Sequence, residues 1–335
     1  MKKAFTSTIC LICALVITSL SLFSCNNNSQ NNENNEIPSN IHIVKFNTNG
    51  GNVISDAEVR HGQKISEPNT PTRENYIFLR WEHEGRPWIF NTDKIEEDTT
   101  LSALWISADK LFKTASTDNP DELVITGFLT QKNIYNLIIP EKINGKTVVG
   151  LSDSAFMTIH EQHAQHLTIP ATVRTIGESA LQDISNVHLK ILGTITDINN
   201  SSFENCITLE TIKLGQGITK IPYRCFFGTT ALKTIDIPEG VTLIEENAFS
   251  SCTSMQSVIL PSTLKTIEDS AFLDCSNLSV IFFKGTEEQF DAIEINANND
   301  ELISAKKVYF YSETEPTEKG NFWHYDKSNM PILWQ

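Results

Sequence analysis

The line VTLIEENAFSSC, Val241 to Cys252, returns as LKTIEDSAFLDC, Leu264 to Cys275. The pairs Ala248-Phe249 and Ala271-Phe272 lie 23 residues apart, as do Cys252 and Cys275. A fixed period of this length constrains the fold more than any other feature, because it marks a stack of like units. One unit reads Leu232-x-x-Ile235-x-Ile237-Pro238, Val241-x-x-Ile244, Ala248-Phe249, Cys252. The next reads Met255-x-x-Val258-x-Leu260-Pro261, Leu264-x-x-Ile267, Ala271-Phe272, Cys275. Earlier copies carry Leu209-x-x-Ile212-x-Leu214 with Cys225-Phe226, Leu189-x-Ile191 with Phe203 and Cys206, and Leu167-x-Ile169-Pro170 with Ala180-Leu181. A first copy, Leu137-x-Ile139-Pro140 to Ala155-Phe156, holds an insertion at 144–147, and a partial copy starts at Leu278.

No single unit can enclose its own apolar face, so the pattern predicts a solenoid whose stacked units share one core. The x-Ile-x-Ile-Pro run alternates with period two and predicts one short strand per rung. Pro ends the strand because it cannot donate to the ladder. Ala-Phe fits a tight turn. The column Cys206, Cys252, Cys275, interrupted by Thr229, reads as buried reduced thiols; a Cys252–Cys275 disulfide stays open, since stacked rungs are close enough for one.

These Ile-Pro, Val-x-x-Ile and Ala-Phe-x-x-Cys elements resemble the BspA-like leucine-rich repeat over roughly 111–285. The resemblance implies a secreted or surface-exposed protein, often an adhesin, and no enzyme. A second segment runs through the Asn49-Gly50-Gly51 turn, Pro71-Thr72-Arg73, Trp81 and the closing Leu101-x-Ala103-x-Trp105. It resembles the Listeria–Bacteroides repeat of internalin-type surface proteins, which implies a small β-grasp-like domain. Its aromatics, Phe46, Tyr76, Phe78, Trp81, Trp88, Phe90 and Trp105, are the expected core, because a domain this small needs its rings inside.

The N-terminus is organised differently. Lys2-Lys3 precede the apolar run Ala4 to Phe23, which closes on Leu22-Phe23-Ser24-Cys25. This resembles a bacterial lipoprotein signal in which Cys25 is lipidated, although Phe23 departs from the smaller residue usual there. A plain secretory peptide and a single membrane anchor are the alternatives; Thr6, Ser7 and Thr8 thin the run and make a spanning helix the weaker one. Residues 26–40, NNNSQNNENNEIPSN, cannot bury a core. They read as a tether with a span on the order of 20 Å.

The expected organisation is therefore a mainly β chain: signal 1–24, tether 25–40, β-grasp-like domain 41–107, leucine-rich-repeat solenoid 108–285 and C-terminal cap 286–335. The net charge of −15 argues against nucleic acid and against a polybasic membrane patch. Membrane contact is expected through the lipid on Cys25. No cofactor, metal site or catalytic constellation is expected. The cluster His160-Glu161-x-His163-x-x-His166 reads as a solvated loop, since His166 opens a strand and turns away from the others.

Between the buried positions of each rung, outward residues form two columns. One is His166, His188, Thr211, Thr234, Ser257, Val280; the other is Thr168, Lys190, Lys213, Asp236, Ile259, Phe282. Solenoids use such sheets as binding faces. The expected partner-binding face is His188, Lys190, Thr211, Lys213, Thr234, Asp236, Ser257, Ile259 and Phe282, for a host or neighbouring-cell surface protein. Ile259 and Phe282 are either exposed contact residues or covered by the cap. Glycan capture and a structural envelope role without a tight partner are the rival functions.

Overall fold

A computed structural model of the chain describes residues 40–335 apart from 131–133, 135, 158, 160–163, 185–186, 306, 318–319 and 335. The signal, Cys25, most of the tether, and His160, Glu161 and His163 lie outside the described residues. Ile41–Gln335 form one compact unit.

The small domain is a five-stranded mixed sheet. Its first and last strands, Ile41–Asn47 and Thr99–Ser107, pair in parallel at the centre, flanked by Ala57–Arg60 on one side and Tyr76–His83 with Arg86–Pro87 on the other. A parallel central pair made by the two chain ends is the β-grasp arrangement, here with no helix between Ile41 and Ser107 among the described residues. One face buries Phe46, Phe78, Trp81 and Trp88, with Phe90 and Trp105 partly covered. Tyr76 lies outside that cluster, half-buried, with the Arg73 guanidinium 3.8 Å above its ring. The Asn49-Gly50-Gly51 turn is fixed by Trp105, whose Nε1 donates to Thr48 O at 2.9 Å, and a Cβ on Gly51 would meet that ring at 2.7 Å.

The other face of this sheet joins the solenoid. Ile77 enters the same core cluster as Ala108, Leu111, Phe112 and the repeat residues, with Leu79 and Ile106 packed against it. Asn136 Nδ2 donates to Thr70 Oγ1 at 3.0 Å, and Asn144 N donates to Asn75 Oδ1 at 2.9 Å. The hairpin Phe112–Ser116 and Glu122–Phe128 opens the stack, closed at its end by Phe112, Phe128 and Phe156.

The solenoid then repeats as its sequence dictates. Outer strands run from Asn136–Ile138 through His166–Ile169 and His188–Ile191, and later through Thr234–Asp236, Ser257–Leu260 and Val280–Phe283. Phe203, Phe226, Phe249 and Phe272 stack at 5.2, 5.3 and 5.1 Å between centroids, each fully buried. Their rung-to-rung spacing is close to the inter-strand distance, so one ring per unit fills the core without a gap.

The four cysteines among the described residues, Cys206, Cys225, Cys252 and Cys275, are unbridged and buried. Cys206, Cys252 and Cys275 Sγ lie 3.1 Å from Leu181 O, Phe226 O and Phe249 O, each carbonyl one rung earlier. Thr229 Oγ1 donates to Phe203 O at 3.0 Å in the same column. The column therefore needs a small side chain with one donor, which is why Thr can replace Cys. Burial pushes the Cys206, Cys225 and Cys252 thiols well above the ordinary value, so they stay protonated.

The ladder continues past Gly285. Glu294–Ile295 pairs with Thr266–Ile267, and Lys307–Tyr311 pairs with Val280–Phe283 in register. This rung lacks the Ala-Phe-x-x-Cys line. Asn299, fully buried, takes over: it accepts from Phe272 N at 3.0 Å and donates to Glu268 O at 2.9 Å. A parallel strand, Phe322–Tyr325, and an antiparallel one, Pro331–Leu333, finish the sheet.

Candidate recognition face

The outward columns are real at both ends of the solenoid and broken in its middle. His166 is opposite His188 and Thr168 opposite Lys190. Thr234 is opposite Ser257 and Asp236 opposite Ile259, and that pair of columns runs on through Val280 and Phe282 to Lys307 and Tyr309. Between them the register slips. Lys213 pairs with Thr194, not with Lys190, so the face is three sheets in succession. Leu192 and Gly215 stand where the copies at Ile169, Ile237 and Leu260 carry Pro, although Lys284 stands there too in a rung that keeps its register. The chain bends at Gly193 and then forms a second short strand, Thr194–Ile195. A Cβ on Gly215 would meet Thr194 Cγ2 at 2.6 Å, so a larger residue there would have to push the Thr194 side chain aside.

The C-terminal third of the expected face is covered. Ile259 is 3% and Phe282 9% exposed, in a separate cluster with Tyr309 and Trp323. They are not exposed contact residues; the cap lies over them. A flat sheet would hold Phe322–Tyr325 four strand spacings, roughly 19 Å, from Thr234–Asp236. Yet Tyr325 OH donates to Asp236 Oδ2 at 2.7 Å, so the sheet curls back over its own outer surface. Burial and the Asp236 carboxylate push the Tyr325 phenol up, which keeps it a donor. Lys284 Nζ lies 2.6 Å from Asp236 Oδ1 and donates to Ile237 O at 2.8 Å. Trp323, fully buried, donates from Nε1 to Phe283 O at 3.0 Å. Asp236 is thus an anchor for the cap. Thr234 and Ser257 are half-buried and share a hydroxyl hydrogen bond of 3.0 Å.

His188, Lys190, Thr211 and Lys213 are exposed. The His166 and His188 rings stack at 4.9 Å. Burial first, and then the His188 ring, hold His166 below the ordinary imidazole value.

At the N-terminal end of the face a cavity of about 590 Å³ opens between the small domain and the first rungs. Thr70 and Tyr76 line one side, and Ile138, Pro140, Thr168 and Leu192 the other. Sequence reasoning missed it, because its two walls come from different domains and no local pattern reports on their approach.

The profile described as the BspA type Leucine rich repeat region matches in six copies over residues 126–252 and 182–300. Together these spans cover 126–300, which is 175 of the 335 residues. This chain belongs to the BspA-type leucine-rich repeat family. BspA-type repeat proteins are generally found at the cell surface and are typically not enzymes, and the family points to protein interaction or adhesion in general. The Listeria-Bacteroides repeat domain matches residues 42–104. Two Evansella cellulosilytica proteins, provisionally named a membrane protein and a Gly-rich membrane protein, are 36% and 35% identical over 69 residues, 20% of this chain. The match spans only 10% and 8% of those relatives. Among solved structures, a T. pallidum leucine-rich repeat protein is similar at 24% identity and a TM-score of 0.47, over 56% of this BspA-type chain and 84% of its own. A leucine-rich cell surface protein of Faecalibacterium prausnitzii is 26% identical with a TM-score of 0.37, over 54% and 40%.

Proposed function

We propose that this chain is a surface lipoprotein, held in the envelope through lipid on Cys25, that recognises a protein on a host or neighbouring cell through its outer strand face. One observation carries the reading. The stretch from His188 to Lys213 is left open between the small domain, which meets the first rung at Asn136, and the aromatic cap, which covers Ile259 and Phe282. A stack that needed only to be a spacer would have no reason to leave that stretch bare while curling a sheet over its neighbour. Binding by such surfaces is commonly weak per copy and strengthened by multivalent display.

The test displays residues 41–335 multivalently against a panel of matrix and cell-surface proteins and glycans, beside a Lys190→Glu/Lys213→Glu variant. Capture of a protein by the parent and not by the variant supports the reading. Capture of glycans that the variant retains moves the function to carbohydrate binding elsewhere on the molecule. Capture of nothing leaves a structural envelope role. Anchoring is tested separately: labelled fatty acid should enter the full chain and not its Cys25→Ala variant.

A further inference from the structure

We infer that the open face takes an acidic, extended polypeptide segment with one large apolar side chain seated in the cavity beside the small domain. This deepens the reading of the face as a protein-recognition surface and rests on it.

Three observations converge. The first is charge. From Asn136 to Lys213 the face positions Asn136, His166, Thr168, His188, Lys190, Thr211 and Lys213 include no carboxylate, and the exposed Glu210 beside them is paired with Lys233, in a chain whose net charge is −15. Lys190 and Lys213 are exposed and have no ion-pair partner among the described residues. At physiological salt, charges more than about 8 Å away are screened, so the local cations and not the net charge decide what docks here.

The second is the cavity. Its own charges balance, Arg73 and Lys142 against Glu74 and Glu141, and Ile138, Pro140, Pro170 and Leu192 give it an apolar floor. Leu192 is 54% exposed at that floor, an apolar side chain left without a cover. A mostly apolar concavity of this size takes a drug-sized group, so it has room for one large apolar side chain together with the backbone that carries it.

The third is continuity. Thr168 lines the cavity and is the register partner of Lys190, so the cationic stretch begins one strand spacing, about 4.8 Å, from the cavity. An extended peptide advances about 3.3 Å per residue. Its carboxylates would therefore meet Lys190 and Lys213 within a few residues of the apolar anchor. A glycan would be expected to find a bare aromatic platform, and the outward positions from His166 to Lys213 carry no Trp or Tyr.

The test uses residues 41–335 and short labelled peptides in fluorescence anisotropy: Phe followed by a run of Glu, the same peptide with Gln for Glu, and the same with Ala for Phe. The Phe-Glu peptide should bind, and bind less as salt is raised. Both counterparts should bind roughly tenfold more weakly or worse. The Lys190→Glu/Lys213→Glu variant should lose the Phe-Glu peptide and gain a Phe-Lys peptide, a reversal that a misfolded variant could not show. Leu192→Asp should remove the preference for Phe over Ala. Equal binding of the Gln peptide overturns the inference, as does an unchanged affinity in the double variant. Binding of a heparin-derived oligosaccharide but of no peptide also overturns it, in favour of an anionic glycan. If a surface protein is captured through Lys190 and Lys213 but without salt dependence, protein recognition stands and the acidic segment fails. If no surface protein is captured, protein recognition itself fails.

Discussion

Phe249 and Cys252 show how little a single residue of this stack can change. The Phe249 ring lies between Phe226 and Phe272 at 5.3 and 5.1 Å, with no solvent exposure. Phe249→Ala opens a cavity with neighbours fixed on both sides, and should cost about 3–5 kcal/mol in denaturant titration. Cys252→Thr should cost under about 1 kcal/mol, since Thr229 already makes the same hydrogen bond one rung earlier. His166 gives a pH dependence. Its native pKa lies below the ordinary 6.5, so below that pH the unfolded chain takes up the proton first. The native state then loses stability as pH falls from neutral, and above pH about 7 this contribution disappears. Asn136 and His188 are its register neighbours. Denaturation midpoints at pH 7.5 and 5.5 should separate less in His166→Gln than in the parent; equal separation would remove His166 as the cause.

At the scale of elements, the C-terminal strands do two jobs. Lys307–Tyr311 adds a rung, and Phe322–Tyr325 folds over the outer face to cover Ile259 and Phe282. Trp323→Ala should destabilise by about 3–5 kcal/mol and expose apolar surface that binds a hydrophobic dye. Tyr325→Phe removes only the donor to Asp236 Oδ2 and should cost about 1 kcal/mol, because Lys284 still holds the other oxygen. A dye signal from Tyr325→Phe as large as that from Trp323→Ala would show that the hydrogen bond, not the packing, holds the cap down.

For the whole molecule, the small domain and the solenoid are joined through core and not through a linker. Ile77 is 1% exposed inside the cluster that runs through the stack. Ile77→Asp places an unpaired carboxyl there and should lower the midpoint of the solenoid as well as that of the small domain, seen as loss of amide-exchange protection in both. Loss confined to residues 41–107 would make the two independent. The junction also sets the recognition geometry, since one wall of the cavity is Thr70 and Tyr76 from the small domain.

The sequence by itself determined the repeat. Each buried column recurs at a fixed interval, and a chain with one apolar face per unit can bury it only against the next unit. The Phe ladder, the Cys and Thr column and most of the aromatic core of the small domain were readable because each depends on its own unit or on an identical neighbour. Only the tertiary structure decided the rest. The slip that separates Lys190 from Lys213 shows only in the pairing of Lys213 with Thr194. The covering of Ile259 and Phe282 depends on Trp323, and the anchor on a contact between Tyr325 and Asp236, 89 residues apart. The cavity needs two domains at once. Periodicity fixes which side chains leave the core; what then lies over them is set by contacts between distant segments, which no local pattern encodes.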